Sequence, residues 1–130
     1  MNLVDSSGWL AYFADEPNAK YFLTPLKDTA LLVVPTVTIH EVFKVVLRES
    51  SENEALQAAV AMRKGTVADL TASLAIAASK LSVSHNLPVA DSIILATAKE
   101  FGATLWTKDS NFKNVDGVKY FPKKMIRSRS

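Results

Sequence analysis

Cysteine is absent from the 130 residues. That excludes disulfides and thiolate-held metals, and it suits reducing surroundings such as the cytoplasm, where this chain is expected. Only two histidines are present, His40 and His85, too few for a multi-histidine zinc centre in one chain. No apolar run approaches the roughly 20 residues that cross a bilayer, so no membrane role is expected. The opening "MNLVDSSGW" has neither a basic segment nor a long apolar one, and export by a signal peptide is not expected. No repeat, linker or low-complexity segment interrupts the chain, so residues 1–130 read as one domain.

What is present is the composition of a folded chain, with 48% hydrophobic and 22% charged residues. The net charge of +2 hides an asymmetry: residues 108–130 carry +5 and residues 1–107 carry −3. A basic end can attract phosphate, but it can equally be a solvated tail. The last four residues are assigned to such a tail, and Lys119, Lys123 and Lys124 are left open.

Strand and helix signals alternate. "NLV" (2–4) is a short apolar run followed by Asp5, Ser6 and Ser7, and either serine can cap a helix carrying Trp9, Leu10, Tyr12 and Phe13. Pro17 opens a second helical stretch with Tyr21, Phe22 and Leu26. "ALLVV" (30–34) reads as a buried strand stopped by Pro35. Helical periods then run through "TIHEVFKVVLRES" and "NEALQAAVAMRKG". After a brief strand in "TVADL" come the helices "TASLAIAASKLSVSHN" and "PVADSIILATAKEFG", the second closed by Gly102. "TLW" and "VKYF" finish as strands. The fold expected is α/β, a parallel central sheet of about four or five strands with helices on both faces. Such sheets bind ligands beyond the carboxyl ends of their strands.

Asp5 and Asp109 both follow strands and should reach that edge. Asp91 is the most informative acid. It shares a helical stripe with Ile94, Leu95 and Ala98, while Ser92, Lys99 and Glu100 mark the wet face. The helix dipole favours an acid in a first turn, but it does not explain an acid on the apolar stripe, where a carboxylate needs a partner or a metal. Glu41 follows Thr38 at capping-box spacing; alone it reads as a surface glutamate, and its place just past "ALLVV" makes it a candidate. Four gathered acids repel without a counter-charge. Oxygen-only donors suit Mg²⁺ or Mn²⁺, which can polarise a phosphodiester and activate a water. Thr107 and Asn111 could orient the outer shell, with Ser6 as a further supporting group. Lys44, one turn beyond Glu41, is a possible phosphate contact and equally an exposed lysine. Trp9, Tyr12 and Phe13 read as core or as a protein interface.

Together, "MNLVDSSGWLAYF", "TVTIHEVFKVV" and "LPVADSIILATAKEFGATLWTKDSNF" resemble the PIN-domain family, particularly the toxin ribonucleases of VapBC-type toxin–antitoxin pairs. The resemblance spans nearly the whole chain. It implies that Asp5, Glu41, Asp91 and Asp109 match the acidic quartet that binds Mg²⁺ or Mn²⁺, and that Thr107 matches the small polar residue before the last acid. Asn111 departs from the pattern, because many relatives have aspartate there. The resemblance further implies a metal-dependent endoribonuclease, homodimeric and inhibited by a cognate antitoxin. Three other readings stand beside it: a PIN-like module that binds without cutting, a receiver domain with Asp69 as acceptor and Lys108 as its lysine, and a phosphatase with an aspartate nucleophile. The last two fit poorly, because Ser6 and Ser7 stand where each would place a second acid.

Overall fold

The computed structural model describes residues 1–122; Lys123, Lys124 and the tail residues beyond them lie outside the described residues. Strands β1 (Asn2–Val4), β2 (Leu32–Pro35), β3 (Thr66–Ala68), β4 (Thr104–Thr107) and β5 (Val118–Tyr120) form one sheet in the order β3-β2-β1-β4-β5. Every pairing is parallel. The helices are α1 (Ser6–Phe13), α2 (Leu23–Lys27), α3 (Thr36–Glu49), α4 (Glu52–Met62), α5 (Ala72–His85) and α6 (Val89–Glu100). The expected α/β class holds, with the upper of the two expected strand counts.

Side chains alternate across each strand, and the central strands β1, β2 and β4 are covered on both faces, whereas the edge strands β3 and β5 are partly exposed. Val4, Leu32 and Val34 pack with Trp9, Phe22, Val42 and Met62 on one side. Leu3 and Leu105 pack with Ile94, Leu95, Ala98 and Phe112 on the other. Two-sided burial is why these strands are short unbroken apolar runs. The chain builds β1, β2 and β3 outward in one direction, then returns through α5 and α6 to lay β4 on the other side of β1. The strand order therefore reverses between β1 and β4, the kind of crevice where open α/β sheets take ligands.

Several local expectations change. Neither serine caps α1: Asp5 does, accepting from the Gly8 N–H at 3.2 Å. A Cβ at Gly8 would stand 2.5 Å from Val4 Cγ1 and 2.8 Å from Phe22 Cδ1, so only glycine lets α1 lie this close to β1. The stretch opened by Pro17 is not one helix but a 3₁₀ turn, Ala19–Phe22, running into α2. Helix α3 begins at Thr36, with Pro35 as its N-cap, so Thr38 lies inside the helix and makes no capping box with Glu41. Ser92 is buried rather than wet, because α6 is covered by α5 as well as by the sheet; its hydroxyl donates to the Val89 carbonyl at 2.7 Å. Helix α6 ends as expected, with Gly102 in the left-handed region at φ +60° and the Ala103 N–H on the Ala98 carbonyl at 2.8 Å.

Candidate active site

Three acids from three separate elements meet at the strand-order reversal. Asp5 leaves β1, Asp91 sits in the first turn of α6, and Asp109 follows β4. The Asp5 N–H donates to the Trp106 carbonyl at 3.1 Å, which carries the β1–β4 pairing one residue past the strand. Its carboxylate is buried at 3% exposure and accepts three bonds. These come from Ser7 Oγ at 2.6 Å, Thr107 Oγ1 at 2.6 Å and the Gly8 N–H at 3.2 Å. Thr107 Oγ1 also accepts from the Asp109 N–H at 2.8 Å. Ser7 Oγ accepts from the Lys108 N–H at 2.9 Å. Two hydroxyls thus lock the start of α1 to the end of β4.

Asn111 plays an equivalent part for the other two acids. Its N–H donates to Asp109 Oδ1 at 2.9 Å and its Nδ2 donates to Asp91 Oδ2 at 2.9 Å. An aspartate at this position could not make the second bond. Glu41, half-buried on α3, accepts from the Ser6 hydroxyl, which ties it to the residue after Asp5.

The electrostatics follow from burial and mutual repulsion. Burial lifts Asp5 from 3.8 to about 6, against the bonds from Ser7, Thr107 and Gly8, with the charge of Asp109 adding to the rise. Burial also lifts Asp91 from 3.8 to about 7; the Asn111 bond opposes this, while the charge of Asp109, a hydrogen bond with it and the charge of Asp5 reinforce it. Asp5, Asp91 and Asp109 are therefore close enough to feel one another. Among the described residues none of them, nor Glu41, is in an ion pair. Lys108, the adjacent cation, pairs with Glu16 instead.

Among the described residues no three His, Asp or Glu side chains stand close enough to hold an ion together. The chemistry of the donor set nevertheless fits a hard cation, since Asp5 and Asp91 are desolvated, the three aspartates repel one another, the donors are oxygen-only and no described residue pairs with them as a counter-charge.

Two cavities flank the acids. One, of about 430 Å³, is lined by Ser7, Lys108, Asp109, Ser110 and Tyr120. The other, of about 390 Å³, carries Glu41, His40, Lys44 and Arg48 along α3 and Ala90 beside Asp91. Lys44 thus shares a groove with Glu41, one turn away, as their spacing on α3 requires. The sequence reading left His40 without a role and missed Ser7 and Tyr120. Ser7 is separated from Asp5 by one residue, and that spacing was a usable signal. Tyr120 is placed only by the pairing of β5 with β4, which no local pattern reveals. Asp69, the acceptor a receiver domain would need, follows the edge strand β3, two strands from Asp5.

The fold is similar to a toxin–antitoxin complex from Klebsiella pneumoniae, with a TM-score of 0.78, 22% identity, and 92% of this chain and 96% of that one covered. It is also similar to VapC20 of Mycobacterium tuberculosis, described as a sarcin–ricin loop cleaving toxin, with a TM-score of 0.75, 19% identity, and 89% and 95% covered. A third likeness is to DNA-bound VapBC from Salmonella typhimurium, with a TM-score of 0.71, 14% identity, and 94% and 98% covered. At these identities the likeness is one of fold. No curated protein matches the chain in sequence. The PIN domain family matches residues 3–118, nearly the whole chain, and this protein is a member of that family.

Proposed function

We propose that this PIN-domain chain is the toxin of a toxin–antitoxin pair, an endoribonuclease that depends on Mg²⁺ or Mn²⁺. The observation that carries the reading is the meeting of Asp5, Asp91 and Asp109 at the strand-order reversal, with Asp5 and Asp91 desolvated and, among the described residues, no protein cation paired with any of the three. The toxin assignment is supported by likeness in fold to toxins and toxin–antitoxin complexes.

Asp5, Asp91 and Asp109 would hold the ion, with Glu41 reaching it from α3. Bound there, a divalent cation supplies an activated water and positive charge for the phosphodiester oxygens. The chain's own groups do the positioning. Thr107 and Ser7 fix the Asp5 carboxylate, and Asn111 fixes Asp91 against Asp109. Lys44 faces the groove beside Glu41 and holds a neighbouring phosphate. No histidine pair is needed.

The antitoxin is assigned to the cavity of about 550 Å³ between α1, α3 and α4, walled by Leu10, Phe13, Val45, Val46 and Ala58. Trp9 and Phe22 prove to be core, whereas Tyr12 is 41% exposed on α1. A second copy of the chain is assigned to α5, where Ile76 and Val83 are 62% and 87% exposed; light scattering of the isolated chain reads that directly. A PIN-like module that binds RNA without cutting is favoured by one observation: among the described residues no three carboxylates stand close enough to hold an ion together. Incubation with an end-labelled RNA panel separates the two readings. A nuclease leaves fragments with 5′-phosphate and 3′-hydroxyl ends; an uncut panel that is nonetheless bound supports the silent module.

A further inference from the structure

We propose that the cavity beside Asp109 receives one unpaired nucleobase of the RNA next to the cut, with Tyr120 as the residue on which that base stacks. This rests on the ribonuclease reading and adds to it how the substrate is held.

Thr107 and Tyr120 are register partners across β4 and β5, so their side chains leave the same face of the sheet, about 5 Å apart. Thr107 in turn donates to Asp5 Oδ2 at 2.6 Å. The phenol ring therefore stands one strand beyond the hydroxyl that fixes the buried acid. The cavity's 430 Å³ lies within the roughly 300–1,000 Å³ of small-ligand clefts.

Its walls choose the occupant. Among the described residues the cavity offers a second phosphate no uncommitted protein cation, because the Lys108 ammonium is committed to Glu16, and the ion assigned to Asp109 serves the phosphate being cut. A nucleobase is neutral and flat. It stacks on the Tyr120 ring and meets the Ser110 hydroxyl at its edge, and unstacked bases of single strands are recognised in this way. The charged part of the strand then belongs on the opposite side of the acids, in the groove with His40, Lys44 and Arg48. The two cavities give an extended strand a polarity across the site.

The test is binding of short single-stranded RNA to the full chain in EDTA, where no cleavage is required. Tyr120→Leu, which keeps apolar bulk on β5 but removes the flat face, is expected to weaken binding about 5- to 150-fold, the range for loss of one base–aromatic stack. Tyr120→Phe is expected to stay within about 3-fold of the parent, since it keeps the ring. An abasic nucleotide at one position is expected to weaken binding to the parent as much as Tyr120→Leu weakens binding of intact RNA. Equal affinity of Tyr120→Leu and the parent overturns the proposal and gives the cavity to another occupant, such as a protein segment. A parent that binds through Tyr120 but never cuts upholds the base pocket and overturns the nuclease reading. A parent that cuts with no dependence on Tyr120 does the reverse.

Discussion

The Thr107 hydroxyl donates to Asp5 Oδ2 at 2.6 Å across the boundary between β4 and β1. With the Asp109 N–H on the same hydroxyl at 2.8 Å, one side chain sets the spacing of two acids that lie 104 residues apart. Asp5 also caps α1, so a carboxylate that begins a helix is at the same time the most buried acid of the candidate site.

Thr107→Val keeps the shape but removes both bonds. It leaves the Asp109 N–H and one Asp5 oxygen without this partner, at a cost of about 1–3 kcal/mol. Urea unfolding measures the loss, and Thr107→Ser is expected to recover most of it.

Without a cation, the chain is expected to lose stability as pH rises. Asp5 titrates at about 6 and Asp91 at about 7, against 3.8 for an ordinary aspartate. The folded chain therefore keeps protons that the unfolded chain has released. This contribution is complete below about pH 4 and lost as pH rises through 6 and 7. For the buried Asp5 it amounts to about 3 kcal/mol, and half-exposed Asp91 adds less because solvent screens it. Unfolding in EDTA should show lower stability at pH 8 than at pH 5. Asp91→Asn, which keeps an acceptor for Asn111, should narrow that gap; an unchanged gap would contradict the assignment.

Asn111→Asp removes the donor to Asp91 Oδ2 and adds a charge beside it. In metal-free protein the Asp91 titration should move above about 7, as read by NMR of the carboxyl carbons. With Mn²⁺ the added oxygen donor should tighten binding, as read by calorimetry.

Gly8→Ala places a methyl 2.5 Å from Val4 Cγ1 and 2.8 Å from Phe22 Cδ1. The expected cost is about 1–3 kcal/mol from overpacking. Cleavage should fall too, because α1 carries the Ser6 and Ser7 contacts. A variant as stable as the parent would show that α1 can shift freely.

Much of this is legible in the sequence. The parallel sheet followed from unbroken apolar runs alternating with helical periods, because two-sided burial removes the polar alternation of a surface strand. Asp91 stood out because its stripe-mates Ile94, Leu95 and Ala98 are core. The errors have a common source. A helix considered alone shows neither that α5 packs on the Ala96 face of α6, one turn from the buried Ser92, nor that α3 starts at Thr36 and so displaces Thr38 from the cap. Strand order, which brings Asp5 beside Thr107 and Thr107 beside Tyr120, depends on contacts far apart in sequence. The paired role of Asn111 was hidden because a side-chain amide reads the same whether it starts a turn or orients an acid.

The central claim is tested most directly by RNA cleavage with Mg²⁺ or Mn²⁺, with and without EDTA, for the parent and Asp91→Asn. Cleavage should stop on chelation and return with added cation. Asp91→Asn should lose about 10- to 100-fold or more, by analogy with losses at metal-site groups, and its cation affinity should fall with it. Activity that survives EDTA, or an Asp91→Asn chain as active as the parent, would contradict the account.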